Sequence, residues 1–431
     1  MNIIKYPARS SWKSLLERPS FDLDSLMSSV TEIINEVKKN GDAALKFYTK
    51  KYDKVDLDEI AVSSVDIAAA KYELEDSLKA AIDLARNNIE QFHRRQIPQK
   101  ISCETTPGVK VWQEAKPIEK IGLYIPGGTA PLFSTVLMLG VPARLAGCSE
   151  IVLCTPPAKN GKIHPAVLYT ASILGINRIY RVGGAQAIAA MAWGTESIPK
   201  VYKIFGPGNQ YVTAAKLRVS LDNVSIDMPA GPSELAIIAD NTSNPAYIAS
   251  DLLSQAEHGA DSQVIMVTRF PEIIGSTQEE LEKQLVDLPR RELAKKALDN
   301  SRFILLKSDG EILDLINEYA PEHLIIVTEN YQELAQKVHN AGSVFLGTYT
   351  PESAGDYASG TNHTLPTNGT AKAYSGVNIE SFMKKMTFQE ITKYGLFNIG
   401  PSVERMAIAE ELEAHRRAIR IRMNSANNYK S

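Results

Sequence analysis

Apolar and charged positions alternate at helical spacing through the first hundred residues, most clearly over 22–39 and again over 74–95. This period predicts amphipathic helices that serve as packing scaffold. From Ile121 the rhythm changes to short apolar strands, each followed by a glycine turn and an amphipathic stretch, the pattern of βαβ units feeding a parallel sheet. Strands are predicted at 120–125, 150–154, 178–182, 203–205 and 224–227, then at 235–239, 263–268, 302–306, 323–327 and 343–346. The loop MPAGPSE (228–234), with two prolines and a glycine, breaks the periodicity between the two sets and marks a domain boundary. The expected fold is α/β, with two doubly wound Rossmann-like domains and ligands at the carboxyl ends of strands. A charged helix over 403–422 closes the chain.

Composition narrows the function. A net charge of −3 gives no basic footprint for nucleic acid, so a small molecule is the expected partner. The N-terminus lacks a cationic-then-apolar signal pattern, and no apolar run approaches the roughly 20 residues that span a bilayer, which makes cytoplasmic the default location. Cys103, Cys148 and Cys154 form no CxxC pair; Cys154 ends an apolar run and reads as a buried strand residue.

Three strand-to-helix turns are glycine-rich: YIPGGTAP (124–131), VGGAQA (182–187) and FGPGNQ (205–210). Glycine lets backbone N–H groups approach a phosphate at a helix N-terminus. None completes GxGxxG, since Tyr211 stands where the third glycine would be, and no GKS or GKT is present. A single turn of this kind is ordinary punctuation; three in successive βα units point toward a nucleotide.

The histidines divide by neighbourhood. His93, His164 and His339 sit among ordinary helix or loop residues, and the structural reading is preferred for them. His258, in QAEHG, follows Gln255 by three residues, which places both on one helix face where a carbonyl oxygen and an imidazole could hold one metal; locally, a helix C-terminal cap explains the segment as well. Glu322 and His323, in APEHL, could supply two proton acceptors or merely cap a strand. Asp356 and His363 lie in ESAGDYASGTNHTLPT, read as a loop whose carboxylate could complete a zinc or manganese shell. His415, with Glu411 one turn earlier, reads as half of a helix-surface ion pair.

QAEHGADSQ, APEHL, GDYASGTNHTLPT and EAH, with YIPGGTAPLFSTVLM, GGAQAIAA, GPGNQYV and DMPAGPSE, resemble the histidinol dehydrogenase family along nearly the whole chain. The resemblance implies a zinc-containing homodimer that oxidises L-histidinol through L-histidinal to L-histidine with two NAD. It places zinc ligands at Gln255, His258, Asp356 and His415, and proton acceptors at Glu322 and His323. Substrate contacts fall on these residues, apart from Glu322, and on Ser233, His363 and Glu410, although spacing alone favours Glu411 over Glu410. NAD contacts fall on Tyr124, Gln186 and Asn209, one per glycine turn. By the same resemblance residues 1–20 form an arm, 21–118 with 234–376 one α/β domain, 119–233 the cofactor-side domain, and 377–431 a helical dimerisation segment that carries Glu410 and His415 into the partner's site. Competing readings are a related dehydrogenase acting on another amino alcohol or a sulfonated diol, a zinc hydrolase without cofactor, and a non-catalytic nucleotide-binding scaffold.

Overall fold

The computed structural model describes residues 1–19, 23–127, 130–222, 224–229 and 231–428. Parts of two motifs, Gly128 and Thr129 of YIPGGTAP and Ala230 of MPAGPSE, lie outside the described residues.

Two parallel sheets form the body of the molecule. One has five strands in the order Arg178–Arg181, Glu150–Thr155, Lys120–Tyr124, Lys203–Phe205 and Ser225–Ile226. The other has six, in the order Asn2–Lys5, Arg302–Leu305, Gln263–Thr268, Glu234–Ala239, His323–Val327 and Ser343–Leu346. In each the chain winds outward on one side and then restarts on the other, which leaves a switch point between Lys120–Tyr124 and Lys203–Phe205 and another between Glu234–Ala239 and His323–Val327. Helices cover both faces, so the interiors of the central strands are apolar: Glu234–Ala239 and Gln263–Thr268 are buried at every position, with polar residues only at their ends.

The structure departs from the sequence pattern in four places. Asn2–Lys5, assigned to a terminal arm, pairs in parallel with Arg302–Leu305 as an edge strand; it is four residues long and mostly exposed, too little for a periodic signal. Ile101–Thr106, Val109–Pro117 and Met383–Ile391 form a separate antiparallel sheet, so the C-terminal segment begins with a strand and is not wholly helical. Its outer strands are exposed on both faces, which removes the apolar alternation that reveals a strand. The helix Leu23–Tyr48, grouped by sequence with residues 234–376, shares a core with the five-stranded sheet, where Val30, Ile34 and Leu45 meet Ile188, Met191 and Val212.

Lastly, the helix expected over 403–422 is two helices, Lys393–Ala409 and Glu413–Asn428. Glu411 adopts a left-handed φ of 58°, its N–H bonds to Ile408 O at 3.1 Å, and Leu412 N–H bonds to Ala407 O at 2.8 Å. That pair of bonds is a Schellman closure, which ends a helix without needing glycine. Glu411 therefore does not share a helix with His415. Among the described residues no helix is long and apolar enough to cross a membrane.

Candidate active site

The two sheets face one cleft with opposite ends. The five-stranded sheet presents its carboxyl ends, at Tyr124 and the loop after Phe205. The six-stranded sheet presents its amino ends: Ser233 precedes Glu234–Ala239 and Glu322 precedes His323–Val327. The cleft thus meets the carboxyl ends of the first sheet, where ligands are expected, but the amino ends of the second. The difference is electrostatic. The first side brings helix N-termini to the cleft, at Asn209 before Gln210–Ser220, whereas the second brings the C-terminus of Pro245–Ala256, where Gln255 sits. Helix dipoles thus favour anions on one wall and a cation on the other.

Between the walls lies a cavity of about 290 Å³ lined by Asn209, Ser233, His258, Asp261, Glu322 and His363, among others. Ser233 is held through its neighbour: buried Glu234 receives Arg18 Nε at 2.6 Å and Nη2 at 2.8 Å, and its own N–H donates to Glu322 Oε2 at 2.9 Å. His323 Nδ1 lies 3.3 Å from the Glu234 carbonyl oxygen and 3.6 Å from Glu322 Oε2. The adjacent acid and imidazole therefore address one buried cluster. His363 is fixed by Asp356 O at 3.1 Å from Nδ1 and Thr135 Oγ1 at 3.3 Å from Nε2. Its neighbour Asn362 donates to Met138 O at 2.6 Å and lies 3.4 Å from His93 Nε2, so structural His93 helps to seat that loop.

Asp356 is not on a loop. Glu352–Tyr357 is a helix, and Glu352 and Asp356, four apart, share its inner face. A Cβ on the intervening Gly355 would come within 2.5 Å of the Phe345 ring, a clash, so glycine is what lets this helix sit close enough. One donor atom each from His258, Glu352 and Asp356 falls within 4.8 Å of the others. Gln255 is fully buried, and its amide nitrogen donates to both Glu352 oxygens, 3.1 Å from Oε2, when the amide is oriented to satisfy its hydrogen bonds. The carbonyl oxygen then faces away from Glu352.

Charge in this cluster is out of balance. Burial pushes the Glu322 carboxyl up to about 8 and holds Glu352 well above the carboxylate range. Burial opposes a charged His323, yet Glu322, Glu352 and Asp356 outweigh it and push the imidazole up to about 10. Asp356 is lowered, because burial is overcome by the neighbouring His323. His323 Nε2 and Asp356 Oδ1 are enclosed, 3.6 Å apart, with no hydrogen-bond partner. Three carboxylates around one imidazole, with unsatisfied N and O atoms facing inward, are a donor set that suits a divalent cation such as zinc.

Beyond Asn209 a larger cavity of about 830 Å³ is lined by Tyr124, Gln186 and Asn209, one residue from each glycine turn. The Tyr124 hydroxyl accepts Gly184 N–H at 3.1 Å. Asn209 Oδ1 caps its helix, accepting from Tyr211 and Val212 N–H at 3.1 Å, which leaves its NH2 as the group available to the cavity. Gly206 is clamped on both sides: its N–H donates to Asp227 Oδ2 at 2.8 Å, and its carbonyl accepts from Lys216 Nζ at 2.9 Å, with Lys216 and Asp227 forming a buried ion pair. A Cβ there would run into the Tyr124 carbonyl, so the two loops meet closely only with glycine.

The structure brings together Gln255, His258, Glu322, His323, Asp356, His363 and Ser233, and separately Tyr124, Gln186 and Asn209. It does not bring in Glu410 or His415, which are exposed on the C-terminal helix pair. His164 caps a helix through Nδ1, accepting from Ala166 N–H at 3.2 Å, and exposed His339 lies past the end of the helix Tyr331–Ala335. Two residues escaped sequence reading. Glu352 was signalled by its i, i+4 spacing from Asp356, and Asp53 lines the larger cavity from the segment read as mere scaffold.

The histidinol dehydrogenase family profile matches residues 16–423. A histidinol dehydrogenase of Bacteroides thetaiotaomicron is 59% identical over 425 residues, 99% of either chain. One of Escherichia coli K12 is 50% identical over 416 residues, 96% of this chain and 95% of its own. The crystal structure of histidinol dehydrogenase from Elizabethkingia anophelis aligns with a TM-score of 0.96 at 55% identity over 99% of both chains. The match spans both sheets and every residue of the cleft, and the chain belongs to the histidinol dehydrogenase family, whose oxidoreductase activity closes histidine biosynthesis.

Proposed function

We propose that the chain is a cytoplasmic, zinc-dependent enzyme that oxidises L-histidinol through L-histidinal to L-histidine, using two NAD in succession. The observation that carries this is the placement of Glu322 and His323, adjacent and buried, against the cation-favouring cluster and beside the cavity that leads to Tyr124, Gln186 and Asn209. Zinc would be held by Gln255, His258 and Asp356, with His415 of a second subunit as the remaining ligand. A zinc ion there supplies a positive charge that anchors nitrogen donors of the substrate and opposes protonation of His323. NAD supplies the two-electron acceptor at each oxidation.

The residues divide the work. Ser233 and His363 line the substrate cavity and orient the amino alcohol. His323 removes the hydroxyl proton as the carbinol carbon gives up its hydride, which yields the aldehyde. Glu322 then takes a proton from water as the water oxygen bonds to the aldehyde carbon, and protonated His323 returns its proton to the aldehyde oxygen, which forms the hydrate and restores the base. His323 accepts the proton of the second oxidation, which leaves the carboxylic acid. Asn209, shared by both cavities, holds the junction between substrate and cofactor.

Glu410 and His415 act in the other subunit's site. The helix pair bearing them exposes Met406, Ile408 and Ile421, an apolar surface that supports a dimer. The test is NADH absorbance on adding L-histidinol and NAD to purified protein, with and without a chelator. Turnover that the chelator abolishes is expected; no NADH, or turnover indifferent to prolonged chelation, overturns the reading.

A further inference from the structure

The larger cavity contains a carboxylate that the reaction above does not use. The helix Leu23–Tyr48 runs on into a wider turn, Thr49–Asp53, and the chain then swings away at Lys54, which has a φ of 62°. This sets Asp53 in the wall of the cavity that Tyr124 and Gln186 also line. Its Oδ2 is enclosed and has no hydrogen-bond partner.

The nearby cations are engaged elsewhere. Lys50 pairs with Asp56, Lys54 Nζ donates to Lys51 O at 2.8 Å, and Lys51 Nζ lies 5.2 Å from the Tyr52 ring centroid. Lys159, the cation lining this cavity among the described residues, is exposed to solvent. Burial alone lifts the Asp53 carboxyl to about 6, with no neighbouring charge compensating. A carboxylate retained only for packing would have a donor, because an unsatisfied buried acceptor costs stability. This one is left to a ligand that brings its own O–H groups.

The geometry also indicates which part of the ligand. Asn209 lines both cavities, so the reacting end of a dinucleotide lies there and the remainder extends into the larger space. Asp53 lines only the larger one. We propose that Asp53 accepts hydrogen bonds from the adenosine ribose hydroxyls of the dinucleotide and so selects NAD over NADP, whose 2′-phosphate would face the carboxylate. This rests on the dinucleotide reading given under the proposed function.

The test is equilibrium binding of NAD and NADP to the full chain by titration calorimetry, with steady-state kinetics alongside. Wild type is expected to prefer NAD. Asp53→Asn should weaken NAD on the order of tenfold and bring the NAD-to-NADP preference close to one, consistent with loss of a charge-assisted hydrogen bond. KM for NAD rises while kcat at saturation and KM for the alcohol hold. Asp53→Glu keeps the charge and shifts it, so it should weaken NAD while still excluding NADP; it also serves if Asp53→Asn fails to fold. An NAD-to-NADP preference within twofold of wild type in Asp53→Asn, or in Asp53→Glu admission of NADP, overturns the assignment of Asp53 alone. Wild-type protein that binds neither dinucleotide overturns the cofactor reading itself.

Discussion

Replacing Glu352 by glutamine keeps the outline of the side chain and removes its charge. In the native arrangement both Glu352 oxygens accept from the Gln255 amide nitrogen, which turns the Gln255 carbonyl oxygen away from Glu352 and fixes the amide beside the cluster of His258, Glu352 and Asp356. Glutamine offers one oxygen and one NH2, so one acceptor becomes a donor facing a donor. The lost bond is charge-assisted, worth about 1.5–3 kcal/mol. Groups that orient metal ligands from behind contribute roughly ten- to a hundredfold to metal affinity, about 1.4–2.8 kcal/mol, and the two ranges coincide. The expected result is a zinc Kd raised ten- to a hundredfold in Glu352→Gln, measured by competition with a chromophoric chelator at fixed pH, with circular dichroism establishing that the variant is folded. A folded variant whose zinc Kd stays within about threefold of wild type would refute the orienting role. A loss far beyond about a hundredfold would refute it differently, by making Glu352 a ligand itself.

The remaining predictions concern proton transfer, assembly and pH. Glu322→Gln should impair aldehyde oxidation more than alcohol oxidation, on the order of ten- to a hundredfold more, whereas His323→Asn impairs both; equal losses in the two half-reactions of Glu322→Gln would sink the division of roles. Mixed and subunit-exchanged His323→Asn and His415→Asn proteins should recover activity, because one of the two sites in a hybrid dimer draws both intact residues; no recovery after verified exchange counts against shared sites. Burial raises Asp251 to about 7 from a usual 3.8, so the folded state keeps a proton that the unfolded chain loses, and stability falls as pH rises across that window. Asp251→Asn should therefore be about as stable as wild type near pH 4 and about 1–3 kcal/mol more stable at pH 8, below the roughly 4 kcal/mol ceiling set by the shift. Parallel denaturation curves at the two pH values check this, and a gain that does not grow with pH contradicts it.

The parallel strands were legible because burial on both faces leaves near-continuous apolar runs bounded by glycine turns, as at Gln263–Thr268. The antiparallel sheet was not, since Met383–Ile391 has little buried on either face and shows no alternation. In the site, helical spacing paired Gln255 with His258, but the helix Pro245–Ala256 ends before His258, and the two stay close through a terminal turn in which His258 N–H bonds to Gln255 O at 3.3 Å. No local pattern reveals that Glu322 and Asp356 meet across His323, since that contact depends on how Glu352–Tyr357 docks near Phe345. Glu411 misled for a related reason: i, i+4 spacing is informative only within one helix, and a left-handed residue at the candidate position ends it. Asp53 lay beyond reach because its importance comes from lacking a partner, which sequence does not record.

Two cavities that share Asn209, a small one beside Glu322 and His363 and a larger one beside Tyr124 and Gln186, bear on traffic during the proposed turnover. One substrate molecule must outlast two cofactor molecules. With separate rooms, spent cofactor would depart and a fresh molecule enter by the larger space while the aldehyde stays in the smaller, beside Glu322 and away from amines in bulk solution that would condense with it. Leakage of the reactive aldehyde then depends on the inner chamber and not on the rate of cofactor exchange.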